Sequence, residues 1–268
     1  MTRTVVIAGG VGPLAGVALH RQLVEMTGTD GRDQSHLPVL HISYSPIIPD
    51  RTEYLIGNDP RNPGEVLGRI VATTAGLAAV TMPSRPQAFD AVEPIRGVVG
   101  VPCNTFHARE IVEAFRHILA ADAPHLRFVD MVEHTVATVS EQIPPGAAIG
   151  VLSTTGTRRS GVWRDALQGA GYTVRQVPEH RQDELHDGIY NSRWGLKAVT
   201  PVTPEARSVV TAAAETLIGD GATAILVACT ELPFVIPAGS YRNVPVIDPV
   251  KELARALVRE AGGTVRGR

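Results

Sequence analysis

The sequence predicts an α/β protein made of two pseudo-symmetric domains, each a short, mainly parallel sheet flanked by helices, with the active site expected in the cleft between them. Three observations lead there. Short apolar runs, among them Thr4 to Ala8, Gly97 to Val101 and Ala222 to Ala228, are bounded by loop residues and read as buried parallel strands rather than as half-exposed alternating ones. Segments of helical spacing lie between them. The same local motifs also occur twice, in the same order. Phe128-Val129-Asp130-Met131-Val132 resembles Val246-Ile247-Asp248-Pro249-Val250, Cys103-Asn104-Thr105 is matched by Cys229-Thr230-Glu231, and the loop at Gly9 by the loop at Ser153. The three offsets differ but keep their order, as expected of one ancestral unit doubled and then altered by insertions. The first domain is expected to span residues 1–125, with 248–268 packing back on it and with Cys103; the second spans 126–247 and carries Cys229.

Taken in order, Thr4 to Ala8 is the first strand, stopped by Gly9-Gly10-Val11-Gly12-Pro13, after which a helix runs to about Thr27. Leu37 to Tyr44 is a second strand, which runs into the proline-broken loop Ile47 to Thr52 and so delivers Arg51 to a strand's carboxyl edge. Gly64 to Leu77 has helical spacing, and Ala78 to Ile95, broken by Pro83, Pro86 and Pro94, reads as an insertion that packs as a flap or a partner contact. Asn104 to Ala120 is expected as an amphipathic helix and Leu126 to Val129 as a short strand. In the second half Ala147 to Leu152 is a strand, Ser160 caps the helix after it, and Tyr172 to Val177 is another strand. His180 to Trp194 is helix-rich. Thr203-Pro204 occupies the cap and first-turn positions of a helix reaching Ile218, and Val244 to Ile247 is a strand whose following Asp248 caps the last helix.

Composition narrows the function classes. The 268 residues suffice for two domains, hydrophobic residues make up 44% and charged residues 19%, and a net charge of −2 gives no general attraction for nucleic acid or anionic lipid. A small-molecule partner is therefore expected. No apolar run approaches the ~20 residues that span a bilayer, and the glycines and Pro13 interrupt the apolar N-terminus, which reads as strand, turn and helix rather than as a signal peptide. Only two cysteines occur, too few for a disulfide framework, which fits a reducing cytoplasm. Their wide separation excludes a CxxC redox or metal arrangement, and no metal is expected.

Those two cysteines, Cys103 and Cys229, each close an apolar run at a strand's carboxyl end, where ligands bind in open α/β sheets. A thiol with a pKa near ~8.5 can take or give a proton near neutrality after modest tuning. Two thiols on opposite faces of one carbon could remove a proton from one side and return it from the other, which is stereoinversion. The glycine loop lacks the GxGxxG spacing and no phosphate-binding Walker sequence is present, so no cofactor is expected. Backbone N–H groups after Thr105 and Thr230, with the hydroxyls of Ser153, Thr154, Thr155 and Thr157, could hold a carboxylate. Arg51 and Lys197 would supply cations, and lysine is uncommon in this chain, with two among 25 basic residues.

At this point the residues resemble the PLP-independent aspartate/glutamate racemase superfamily, and most closely its aspartate racemase branch. The resemblance covers nearly the whole chain. It rests on Gly9 to Ala15, Ile48-Pro49-Asp50-Arg51-Thr52, Pro102-Cys103-Asn104-Thr105, Thr154-Thr155-Gly156-Thr157, Gly195-Leu196-Lys197-Ala198, Cys229-Thr230-Glu231 and Ile247-Asp248-Pro249. Glutamate racemases typically carry His after the second Cys-Thr, where this chain has Glu231. The resemblance implies that Cys103 and Cys229 are the acid/base thiols, that Gly10, Asn104, Thr105, Thr154, Thr157, Thr230 and Glu231 contribute to substrate binding, and that Arg51 and Lys197 bind substrate carboxylates. It further implies an isomerase without cofactor or metal, an acidic amino acid (aspartate, then glutamate) as substrate, and a homodimer. Maleate isomerase and hydantoin racemase of the same superfamily, or a non-catalytic carboxylate-binding protein, are the alternatives. Both cysteines together argue against arylmalonate decarboxylase, which uses one.

Overall fold

The computed structural model describes residues 2–81 and 95–267. The expectation for Ala78 to Ile95 falls, over residues 82–94, outside the described residues. By contacts the chain divides into two compact units. The first comprises Met1–Pro102, Arg109–Asp130 and Leu253–Arg268; the second comprises Cys103–Ala108 and Met131–Glu252. The segment Cys103–Ala108, expected with the first domain, thus has its contacts in the second unit, and residues 126–130 stay with the first.

In the first unit β1 (Thr4–Ala8) leads into α1 (Pro13–Met26), with Pro13 in the first helical turn, where its missing N–H costs nothing. Then come β2 (Val39–Ile42), the short α2 (Arg51–Leu55) and α3 (Pro63–Thr81). The carboxylate of Asp50 caps α2 by accepting from the Thr52 and Glu53 amides at 2.7 and 3.1 Å. After these come β3 (Gly97–Gly100), α4 (Arg109–Asp122) and β4 (Leu126–Phe128). All three pairings of the sheet, ordered β2-β1-β3-β4, are parallel. The helix expected over Asn104 to Ala120 is divided: a 3₁₀ turn at Thr105–His107 ends at Ala108, whose extended backbone (φ −54°, ψ 135°) breaks the α-hydrogen-bond ladder before α4 begins.

In the second unit α5 (Met131–Gln142), not foreseen from the sequence, precedes β5 (Ala148–Ser153). Two consecutive helices follow, α6 (Thr155–Ser160) and α7 (Val162–Gly169), separated by Gly161 at φ +71°, a left-handed turn suited to glycine. Here the cap differs from the expectation. Thr154 caps α6, its hydroxyl accepting from the Thr157 amide at 3.2 Å, and Ser160 ends that helix, donating its hydroxyl to the Thr157 carbonyl at 2.8 Å. Then β6 (Thr173–Arg175), α8 (Glu179–Tyr190) and α9 (Pro204–Gly219) lead to β7 (Ala224–Ala228), whose five residues are all buried. Thr203 caps α9 as expected. β8 (Gly239–Tyr241) and β9 (Val244–Ile247) form an antiparallel hairpin turned by Arg242 and Asn243, both at positive φ, and α10 (Pro249–Glu260), which belongs to the first unit from Leu253 onward, closes the chain.

The second sheet runs β6-β5-β7-β9-β8, and its β6-β5-β7-β9 portion is parallel. Set against β2-β1-β3-β4, it repeats the first sheet strand for strand. β1 and β5 each carry the loop at Gly9 or Ser153, β3 and β7 each precede a cysteine, and β4 and β9 each precede the aspartate of the repeat. Among the described residues, only β8 has no counterpart.

Candidate active site

In the second unit the buried β7 delivers Cys229 immediately beyond its carboxyl end, and the chain then tightens into a 3₁₀ turn at Leu232–Phe234. The Cys229 thiol, 6% exposed, donates to Glu231 Oε2 at 3.1 Å. The same oxygen accepts from the Thr230 hydroxyl at 2.9 Å, and Oε1 accepts from Lys197 Nζ at 2.7 Å. Glu231 is only 2% exposed, so its three donors take the place of water. Burial works against its charge, but the Lys197 ammonium and the three hydrogen bonds outweigh it and hold the carboxyl below the usual range. Lys197 is likewise opposed by burial, and the Glu231 carboxylate raises its pKa regardless. Burial raises the pKa of the Cys229 thiol, and the adjacent Glu231 charge raises it further.

Lys197 follows α8 in a short loop and lies over the Tyr190 ring, 5.3 Å from its centroid. Tyr190 stacks on His186 with centroids 4.7 Å apart, and His186 Nδ1 accepts from the Thr155 amide at 3.3 Å. One chain of contacts therefore joins the start of α6 to Cys229. Sequence reasoning missed Tyr190 and His186; they sit four apart on a helix, a spacing that is equally common on a solvated face.

The residues after β3 form a second cluster in the same unit. Cys103 is 8% exposed, and its thiol has no hydrogen-bond partner among the described residues. Beside it Asn104 Oδ1 accepts from the Trp163 indole N–H at 2.9 Å. The indole can only donate, so it orients the amide, and Asn104 Nδ2 is left buried with no partner among the described residues. The hydroxyls of Thr105 and Thr157 are 2.7 Å apart, and those of Thr157 and Thr154 are 3.1 Å apart. The expected positions Asn104, Thr105, Thr154 and Thr157 are thus brought together. Trp163 of α7 is the residue that fixes Asn104.

The two remaining expected positions lie in the first unit. Gly10 has φ +82°, and a Cβ there would come within 2.8 Å of the Tyr44 amide nitrogen, so glycine is required on both counts. Arg51 opens α2, its guanidinium donating to the Val11 carbonyl at 3.3 Å and to the Pro49 carbonyl at 3.4 Å. Among the described residues no group of three or more His, Cys, Asp or Glu is placed to hold a metal ion, and no helix is long and apolar enough to cross a membrane.

The sequence profile of the Asp/Glu/hydantoin racemases matches residues 9–257. The chain belongs to this family. Solved structures that resemble this family member include the aspartate racemase of Picrophilus torridus, with a TM-score of 0.71 at 23% identity over 98% of this chain and 96% of that one. A protein described as an Asp/Glu racemase from Yersinia pestis gives a TM-score of 0.68 at 17% identity, covering 97% of this chain and 99% of that one. Glutamate racemase from Francisella tularensis, solved with D-glutamate, gives 0.55 at 13% identity, covering 100% and 84%. At these identities the likeness establishes the fold, and the family match makes this racemase-family chain one of a group of isomerases.

Proposed function

We propose that this family member is a cofactor-independent racemase of an acidic amino acid, with aspartate preferred and glutamate next, in which Cys103 and Cys229 take and return the Cα proton. The observation that carries the reading is the placement of the two cysteines of the chain just beyond the corresponding strands, β3 and β7, of a repeated unit. In one direction the Cys103 thiolate takes the Cα proton, forming its S–H bond and leaving the electron pair on carbon. The Cys229 thiol then gives its proton to the opposite face and becomes the thiolate. The reverse direction exchanges the two roles.

The partnerless Nδ2 of Asn104 supports a role in holding the substrate carboxylate, because an unmet buried donor costs about 1–3 kcal/mol until a ligand accepts from it. The hydroxyls of Thr105, Thr154 and Thr157 and the two remaining N–H protons of Lys197 are assigned to the same task, with Thr230 and Glu231 forming the turn beside them. The resemblance adds Gly10 and Arg51 to substrate binding. It also carries a homodimer, supported by the exposed stripe of Leu14, Val17 and Val24 along α1, and a reducing cytoplasm, supported by two free thiols.

The test is incubation of the protein with L- and D-aspartate in D₂O. Deuterium should enter Cα from either enantiomer, with glutamate slower and alanine slower still by roughly ten- to a hundredfold. Equal exchange of alanine and aspartate would remove the acidic-substrate assignment. A second reading, hydantoin racemisation, is favoured by one observation: Lys197 is already paired with Glu231, which makes that corner of the site neutral as a unit. Exchange at a 5-substituted hydantoin exceeding that at aspartate would select it.

A further inference from the structure

The two thiols are built differently, and the difference has a chemical consequence. Cys229 points its S–H at Glu231 Oε2, 3.1 Å away, in a turn where Lys197 grips the other carboxylate oxygen at 2.7 Å and Thr230 braces the first at 2.9 Å. No comparable carboxylate meets the Cys103 thiol among the described residues. We propose, resting on the racemase reading above, that Glu231 is a positioning residue for Cys229: it holds that thiol protonated and aimed, so that the resting protein keeps Cys229 as the acid and Cys103 as the base.

The argument is electrostatic and geometric. Converting Cys229 to its thiolate would place a second negative charge against a carboxylate that is itself almost fully buried, and the acceptor of the S–H hydrogen bond would then face an anion. The charged and titratable groups around this thiol are Glu231 on its own turn and Lys197 from the loop after α8, with Tyr190 of α8 behind Lys197. Lys197 acts in the opposite sense to Glu231 on the thiol, but it is bonded to Glu231, and Glu231 is the group in contact with sulfur. The direction of the Cys229 shift, upward through burial first and the Glu231 carboxylate second, agrees. At Glu231 the sequence reading saw a substrate ligand; the geometry turns its carboxylate toward the protein's own acid.

A racemase with an equilibrium constant of one must have equal kcat/KM for both enantiomers, so the asymmetry cannot appear as a one-way enzyme. It appears in the ionisation of the thiols. The experiment measures the pH dependence of iodoacetamide alkylation at each cysteine by peptide mass spectrometry, in the wild type, Glu231→Gln and Glu231→Asp. In the wild type the Cys229 midpoint should lie above that of Cys103. Glu231→Gln, which keeps the shape and removes the charge, should lower the Cys229 midpoint by about one pH unit or more and leave Cys103 where it is. Glu231→Asp, which restores the charge, should return it most of the way. The alkaline limb of the kcat/KM profile should move with the midpoint, whereas a merely structural role would lower the rate without moving the limb.

An unmoved Cys229 midpoint in folded Glu231→Gln overturns the proposal. So does a wild-type Cys229 that alkylates at the same pH as Cys103 or at a lower one, a result that needs no variant to fold. Alkylation requires no turnover, so failure of the racemase reading, seen as absent deuterium exchange, is separable from failure of the Glu231 assignment.

Discussion

Cys103 and Cys229 follow corresponding strands of two sheets with the same order, yet one thiol is wired into a carboxylate and an ammonium and the other is not. The neighbours differ in the same way. After β7 the chain reads Cys-Thr-Glu, where Cys229 and Thr230 both donate to Glu231 within the turn and Glu231 also accepts from Lys197. After β3 it reads Cys-Asn-Thr, and both polar side chains reach other elements, Asn104 to Trp163 and Thr105 to Thr157. Duplication thus supplied two thiols in equivalent places, and divergence at the next two residues gave each a different electrostatic setting. A two-base racemase needs one thiol ionised and the other protonated, so divergence of this kind serves the proposed chemistry better than strict symmetry would.

The largest effect that can break this comparison is removal of either thiol. Cys103→Ser and Cys229→Ser should each lower racemisation by about 10²–10⁴-fold, the range for loss of a positioned acid or base. The two variants should differ in what they retain, each washing the α-proton out of only one enantiomer and the pair choosing opposite enantiomers. Chiral chromatography measures the loss, and NMR in D₂O measures the residual exchange. A folded variant with near wild-type racemisation would show that its cysteine is core packing.

Next in size is the ion pair that, among the described residues, the Cys229 cluster has and the Cys103 cluster lacks. Lys197→Met leaves the Glu231 carboxylate buried without its cation, and with the lysine side chain 24% exposed the cost at neutral pH should be about 2–4 kcal/mol. The sign with pH follows from the shifts. In the wild type the folded-state pKa of Glu231 is depressed, so its contribution is present above the unfolded value and is lost as pH falls through the folded one. In the variant, burial without Lys197 raises that pKa, so its penalty is relieved as acid protonates the group. Urea denaturation should therefore find the gap between wild type and variant widest near about pH 7 and narrower near about pH 4. A constant gap would mean that the lysine acts through packing alone.

Much of this comparison could be read before any coordinates. β1, β9 and the Thr203-Pro204 helix start are where the sequence puts them, because a buried apolar run and a cap followed by proline are local signals. The hairpin partner β8 was not legible: Gly239-Ser240-Tyr241 has no apolar alternation and is held by pairing with β9 through a turn at Arg242 and Asn243. Nor could the break at Ala108 be read, since the helical spacing continues through it. The Lys197–Glu231 pair joins residues far apart in sequence, and each had an independent reason to be assigned to substrate. Local patterns place side chains at a sheet's edge but do not say which of them satisfy one another.

A smaller effect tests the Cys103 cluster. Trp163→Phe keeps the ring and removes the donor that orients Asn104, leaving Asn104 Oδ1 without it and freeing the amide to turn. The expected cost is about 1–2 kcal/mol in stability, with a comparable several-fold rise in KM for aspartate and little change in the Cys229 alkylation midpoint. A rise in KM without loss of stability would still place Asn104 in the site. No change in either would make the indole contact incidental.

The smallest expected effect concerns the repeated aspartate, the feature that most looks symmetric in the sequence. Asp130, after β4, accepts from Arg116 at 2.7 Å, and that arginine is nearly half exposed; Asp248, after β9, accepts from the Val250 amide at 2.9 Å and caps α10. Asparagine caps a helix about as well as aspartate, whereas alanine does not. Asp248→Ala should therefore cost about 1 kcal/mol or somewhat more and Asp248→Asn only a few tenths. At Asp130 both replacements remove the ion pair with Arg116, which should add about 1 kcal/mol or less to the cost of each. Urea denaturation of the four variants reads the pattern. If Asp248→Asn proves as costly as Asp248→Ala, charge rather than capping is what Asp248 supplies.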